Sequence, residues 1–386
     1  MKRPIYMDCH ATTPVDRRVL DAMLPFYREH FGNASSRSHS FGWVAEEAVE
    51  RARQQVARLL GARAREIVFT AGATESIQIG LLGCARARRA EGRHIVTTNI
   101  EHKAVLQTLH ELGEEGFEVT PVHVGKDGLV SVQDVRKALR PETILLVVMA
   151  ANNEIGTLQP FHELGKLARE NDTTFFVDAA QAVGKIPLDV VQDNIDLLAL
   201  SAHKLYGPKG VGALFVRRRL RLDVPHAGGG QERGLRSGTL NVPGIVGLGV
   251  ACAIAADDMA GEATRVAALR DALLQGLQGR IDDVHINGSM RSRLSGNLNV
   301  SFEGVQGESL LMQLNDIAVS PGAACDSASS EPSHVLRALG VADDLARSSI
   351  RFGLGRFNTL EEVQYAIDKV TDAVSRLRKA SPLYEA

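Results

Sequence analysis

The sequence predicts an α/β protein with a large domain on a mainly parallel sheet and a smaller α+β domain at the C-terminus. Three observations predict it. Short β-branched runs alternate with amphipathic helical stretches through most of the chain. One run, Thr143–Ala150, is almost wholly apolar, as expected of a strand covered on both faces. After about Pro243 the alternation stops, and a long Ala- and Leu-rich stretch precedes shorter elements.

In chain order, the strand candidates of the first part are Glu66–Thr70, His94–Thr98, Val119–Val124, Thr143–Ala150, Thr174–Ala179, Leu197–Ser201 and Ala213–Arg217. Amphipathic spacing predicts helices at Thr74–Arg89, Lys103–Glu115 and Phe161–Glu170, with Ala45–Leu60 ahead of the first strand. The second part reads as a helical stretch Pro243–Ile281, a strand Asn297–Phe302, a helix near Glu308–Leu314, a strand near Ile317–Ser320, a strand Ser349–Leu354 and a last helix from Leu360 to about Arg378. The expected division is a large domain over 14–258, and a small domain over 259–386 on which residues 1–13 dock.

The chain has 386 residues, 44 Lys plus Arg against 46 Asp plus Glu, and 5% aromatics. A net charge of −2 argues against direct nucleic-acid or membrane-surface binding. The four cysteines, Cys9, Cys84, Cys252 and Cys325, lie far apart, with no zinc-ligand spacing and no disulfide framework. Scattered thiols and an N-terminus without an apolar signal core point to the cytoplasm. The longest apolar run, Ile144–Ala151, is eight residues and too short for a bilayer. His39, His110, His123 and His162 show no paired spacing and no metal is expected. The run Arg217, Arg218, Arg219 and Arg221 reads as a solvated strand end.

The chemistry-bearing signals lie at strand ends. Ser201-Ala202-His203-Lys204 runs into a Gly/Pro turn, and lysine is the residue whose amine condenses with the aldehyde of pyridoxal phosphate. A surface lysine in a turn is the ordinary alternative. Asp178 closes the hydrophobic Phe175-Phe176-Val177 run, where an acid can hold a proton on a pyridine nitrogen or simply cap the turn. Thr70-Ala71-Gly72-Ala73-Thr74 is a small-residue turn leading into a helix, and such a helix start favours a phosphate or is a plain N-cap. Asn152-Asn153 follows the most apolar strand, and one of these amides can reach a cofactor oxygen or serve the turn.

Phosphate turn, amide pair, Val-Asp-Ala-x-Gln and Ser-x-His-Lys, in this order, resemble a fold-type-I pyridoxal-phosphate transferase. More narrowly the chain resembles the cysteine desulfurases of the NifS/IscS-like group. The likeness continues through Ala11-Thr12-Thr13-Pro14, Glu101-His102-Lys103, Gly228-Gly229-Gly230-Gln231-Glu232-Arg233-Gly234, Ser237-Gly238-Thr239, Ala324-Cys325-Asp326-Ser327 and Ser349-Ile350-Arg351-Phe352. It implies the conversion of L-cysteine to L-alanine. Lys204 would be the Schiff-base lysine and proton shuttle, and Cys325 the nucleophile that receives the persulfide. Asp178 would pair with the pyridine nitrogen, and His102 would stack on the ring. Gln181 and Asn153 would contact the phenolic oxygen. Ala73, Thr74, Ser201 and His203 would hold the phosphate, with Thr239 reaching in from the second subunit of a homodimer. Arg351 would clamp the substrate carboxylate, a task that guanidinium geometry suits.

The same resemblance implies a sulfur-acceptor protein: an iron–sulfur scaffold, a tRNA thiolase, or a DNA-modification protein in phosphorothioation. Departures from the family pattern bear on that choice. Cys9 stands where an aromatic is common, and Ala71 and Ile77 alter the phosphate turn. Pro321, Ala323 and Asp326 alter the cysteine loop, and the chain stops at Tyr384-Glu385-Ala386. A negative Asp326 is expected to raise the Cys325 pKa. Rivals for the function are a selenocysteine lyase or aminotransferase on the same fold, and a non-catalytic pyridoxal-phosphate-binding sulfur-transfer partner.

Overall fold

The computed structural model describes residues 4–224, 228–321 and 332–380. Its larger sheet has seven strands, in the order Ile67–Thr70, Gly212–Val216, Leu197–Ser201, Thr174–Asp178, Thr143–Met149, His94–Thr98, Glu118–Val122. Gly212–Val216 runs antiparallel to both neighbours, and the other pairs are parallel. The period-2 alternation of a strand sends neighbouring side chains to opposite faces. Leu146, Val148, Phe175 and Val177 therefore enter one core, while Leu145, Val147 and Phe176 enter another on the far side. Both faces are covered by helices, which explains the nearly continuous apolar run of Thr143–Met149.

A four-stranded antiparallel sheet follows, ordered Ser320–Pro321, Ser349–Gly353, Asn297–Phe302, Val284–Ile286. Leu298, Val300, Phe302, Ile350 and Phe352 build a separate core with helix Leu360–Ala380. Helix Val242–Gln278 serves both cores. Ile245, Leu248, Ala251 and Cys252 pack under the large sheet, while Leu269, Leu273 and Leu277 pack under the small one. Thirty-seven residues at 1.5 Å each make it about 55 Å long. Among the described residues it alone is long and apolar enough to cross a membrane, but 56% of its most apolar window is buried in the protein's own cores. It is the helical stretch expected over Pro243–Ile281.

The N-terminal segment crosses to the small sheet. Ile5–Tyr6 pairs in parallel with Ile317–Ala318, and Asp8 bridges Gly353. The strand expected near Ile317–Ser320 is in fact two short ones, Ile317–Ala318 and Ser320–Pro321, in different sheets. Helix Val132–Ala138, capped by Ser131, is one that apolar spacing did not reveal, because only Val135 is buried. Arg217 also departs from expectation. Rather than being solvated, it donates to the carbonyls of Val190 and Ile195 and pairs with Asp196 at 2.8 Å.

Candidate active site

In a parallel sheet the carboxyl ends of the strands collect on one edge, and ligands bind there. Here a cavity of about 750 Å³ opens on that edge. Of the residues predicted from the sequence, Ala73, Thr74, His102, Asn153, Asp178, Gln181, Ser201, His203, Lys204 and Arg351 line it. Thr239 is exposed and lies outside the cavity of its own chain. Cys325 lies outside the described residues.

Each side chain is placed by a local structural reason. Asp178 is the last residue of its strand, buried, and accepts a hydrogen bond from the Ala180 N–H at 3.0 Å. Burial pushes its carboxyl upward, and the nearby His102 and Lys204 oppose that shift. His102 caps the helix Lys103–Glu114, its Nδ1 accepting from the Ala104 N–H at 3.1 Å. A neutral ring so placed carries its proton on Nε2. Burial pushes the His102 pKa down, with Asp178 acting the other way. The amide pair divides its labour. Asn152 serves the turn, its Oδ1 accepting from the Glu154 and Ile155 N–H groups, and Asn153 is left to line the cavity.

Ser201 ends its strand, and the single helical turn Ala202–Lys204 swings Lys204 into the cavity. The Lys204 Nζ donates to the carbonyls of His10 at 2.6 Å and Ala11 at 2.8 Å. His203 hydrogen-bonds Thr12 at 3.1 Å, and burial beside Lys204 and Lys209 pushes its pKa down to about 4. Opposite, helix Ala73–Ala87 begins at Gly72, and among the described residues no side chain caps its first turn. A Cβ on Gly72 would sit 3.7 Å from the Ser201 Oγ, and a Cβ on Gly212 would strike Gly72 Cα at 2.7 Å. The first is an ordinary contact, so it is Gly212 that lets strand edge and helix start close on each other and leaves the helix N–H groups open.

Two further residues, to which the sequence reading gave no role, meet the wall residue Gln181, and of the two only His10 lines the cavity. His10 and Lys185 are held by Gln181. The Gln181 Oε1 accepts from the Lys185 Nζ at 3.1 Å and lies 3.2 Å from the His10 Nδ1, while its Nε2 donates to the His10 carbonyl at 2.9 Å. The amide oxygen can only accept, and the Nε2 of the same amide is committed to the His10 carbonyl, so His10 carries its proton on Nδ1 and its own Nε2 keeps a lone pair. Burial pushes Lys185 down to about 7 and His10 well below its ordinary value. The i, i+4 spacing of Gln181 and Lys185 was a visible signal for the lysine. His10 sits within the N-terminal motif, but only the fold brings it 171 positions along the chain to Gln181.

The class-V aminotransferase family matches residues 5–366. The cysteine desulfurase IscS of Anaeromyxobacter dehalogenans is 58% identical over the whole of this chain and 96% of its own length. The Homo sapiens cysteine desulfurase is 52% identical over 99% of this chain and 84% of its own length. A solved NifS-like protein superposes with a TM-score of 0.91 at 40% identity, covering 97% of this chain and all of its own. The chain belongs to the class-V aminotransferase family. Cysteine desulfurases of that family depend on pyridoxal phosphate, and the cavity fits that group. An uncapped helix start with Ser201 and His203 suits the phosphate, a buried carboxylate suits a ring nitrogen, and Lys204 suits the aldehyde. Among the described residues no cluster of three or more His, Cys, Asp or Glu could hold a metal ion.

Proposed function

We propose that this chain is a pyridoxal-phosphate-dependent cysteine desulfurase that takes sulfur from L-cysteine, releases L-alanine and carries the sulfur as a persulfide on Cys325. The observation that carries this is full-length similarity to cysteine desulfurases at 52–58% identity, together with Lys204, Asp178, His102 and Arg351 around one cavity.

When bound, pyridoxal phosphate supplies an electron sink for the charge left on the substrate Cα. Ala73, Thr74, Ser201 and His203 hold its phosphate, Asp178 its ring nitrogen, and Gln181 and Asn153 its phenolic oxygen. Lys204 removes the Cα proton and later returns one. His102, its Nε2 proton fixed by the helix cap, would stack on the ring. Arg351 orients the substrate carboxylate. The Cys325 thiolate attacks the substrate sulfur, so that the C–S bond breaks and an S–S bond forms on Cys325. Residues 14–258 hold the cofactor, while 1–13 and 259–386 carry the cysteine. Thr239, outside its own cavity, serves the neighbour's phosphate in a homodimer. An exposed aromatic pair supports a second copy: the rings of Phe31, in the loop ahead of helix Ser40–Leu60, and Phe41, at the start of that helix, lie 5.3 Å apart between centroids and are 67% and 49% exposed, and Trp43 on the same helix is 56% exposed.

The sulfur goes to a protein acceptor in iron–sulfur cluster assembly, with tRNA thiolation as a related outlet, in the cytoplasm. The unpaired thiols of Cys9, Cys84 and Cys252 support a reducing compartment. Dedication to DNA phosphorothioation is not favoured, given relatives named IscS at up to 58% identity over the full chain. The test is incubation of the purified, cofactor-loaded protein with L-cysteine, expecting alanine and a Cys325 persulfide in equal amounts. Labelled cysteine sulfur is then followed in cells into clusters, tRNA and DNA. A loaded protein that releases pyruvate or no product at all would overturn the assignment.

A further inference from the structure

The guanidinium expected to clamp the substrate carboxylate already holds a carboxylate of the chain itself. Arg351 is buried, at 1% exposure, in the strand Ser349–Gly353. The N-terminal segment runs alongside, the Cys9 N–H donating to the Gly353 carbonyl and the Gly353 N–H to the Met7 carbonyl. This lays Asp8 against Arg351. The Arg351 Nη2 donates to the Asp8 Oδ1 at 2.8 Å and to the Ser320 Oγ at 3.1 Å, and Nη1 donates to the Asn153 carbonyl at 2.8 Å. Ser320 in turn donates to the Asp8 Oδ2 at 2.8 Å. Among the described residues, Nε is buried with no partner.

A guanidinium offers two edges with paired N–H groups, Nη1/Nη2 and Nε/Nη2, and Nη2 belongs to both. Asp8 and Ser320 both accept from Nη2, the nitrogen common to the two edges, so a two-point grip on either edge competes with them. A buried guanidinium left without a counter-charge would be strongly destabilised, which gives Asp8 a reason to be there in the free protein. We infer that Asp8 is a resident competitor for the substrate-carboxylate site: an amino acid binds Arg351 by displacing Asp8 from Nη2, and Asp8 thereby sets the affinity for carboxylate-bearing substrates. This inference presupposes that Arg351 grips the carboxylate of L-cysteine.

The experiment measures binding of L-alanine and of ethylamine, the same molecule without its carboxylate, to the cofactor-loaded protein by cofactor absorbance and by calorimetry. Asp8→Asn removes the competing charge and keeps an acceptor for Arg351. It is expected to bind L-alanine at least threefold more tightly with ethylamine unchanged, and to lower KM for L-cysteine in step. Equal or weaker alanine binding by Asp8→Asn would overturn the inference and make Asp8 a support for Arg351 alone. Ser320→Ala, which removes one acceptor from Nη2 and the hydrogen bond that holds Asp8, should shift alanine binding in the same direction, and no shift there counts against the idea even if Asp8→Asn fails to fold. Arg351→Ala separates the two levels. Loss of the preference for alanine over ethylamine upholds the carboxylate grip whatever Asp8 does, and an unchanged preference removes that grip and the competition with it.

Discussion

The amine of Lys204 donates to the backbone carbonyl of His10 at 2.6 Å, joining two segments 194 positions apart. The N-terminal stretch is thereby part of the wall around the reactive lysine. Lys204→Ala is expected to fold, to lack the yellow absorbance of lysine-bound cofactor, and to release no alanine. Unchanged absorbance and turnover would remove Lys204 from its role.

The thiols should separate cleanly. Burial pushes Cys84 up to about 11 and Cys9 and Cys252 up to about 12. Since the thiolate is the nucleophile, iodoacetamide at neutral pH should label none of these three in the native protein. Cys325→Ser should keep the cofactor yet carry no persulfide, while Cys84→Ser and Cys252→Ser turn over normally. Mass spectrometry of labelled peptides and an alanine assay check this.

Lys185 makes stability depend on pH in a defined direction. Its native pKa, lowered by burial to about 7 from 10.5, means that the unfolded chain binds the extra proton between those values. Its contribution to stability therefore rises with pH across that window. Lys185→Met in the cofactor-free protein should be more stable than the parent at pH 7, with the gap narrowing by about 1.4 kcal/mol per pH unit up to about pH 10. Denaturant midpoints across that range measure it, and a constant or widening gap would contradict the burial argument.

Glu232 anchors the segment that leads to Thr239. Both its oxygens lie 2.8 Å from Arg53, and it also accepts from the Phe69 N–H at 2.7 Å. Removing one partner of a buried pair leaves the other uncompensated, so Glu232→Ala should cost about 3–5 kcal/mol in chemical denaturation. Arg53→Met with Glu232→Ala together should cost less than the two single changes summed.

If two copies share each site, Phe31→Glu should convert the sedimenting species from dimer to monomer and lower alanine release at the same time. A fully active monomer would show that Thr239 of a neighbour is not needed.

The sequence by itself determined the α/β alternation, the strand ends that carry Asp178 and Ser201, and the order of the motifs. These are local: a β-branched run ends where a small or polar turn begins, and the ends of parallel strands meet on one edge of the sheet. It also singled out Lys204 and the Asn152-Asn153 pair, though residue types alone did not say which amide would serve the turn. What only the tertiary structure decided lies between distant segments. His10 and Lys185 meet on Gln181, and Asp8 meets Arg351 because residues 7–9 lie against Gly353 at the end of the Ser349–Gly353 strand. Strand pairing between segments some 340 positions apart leaves no periodicity in either one. A residue's type shows what it can bind, and only burial with a particular neighbour settles which proton it keeps and which donors remain open.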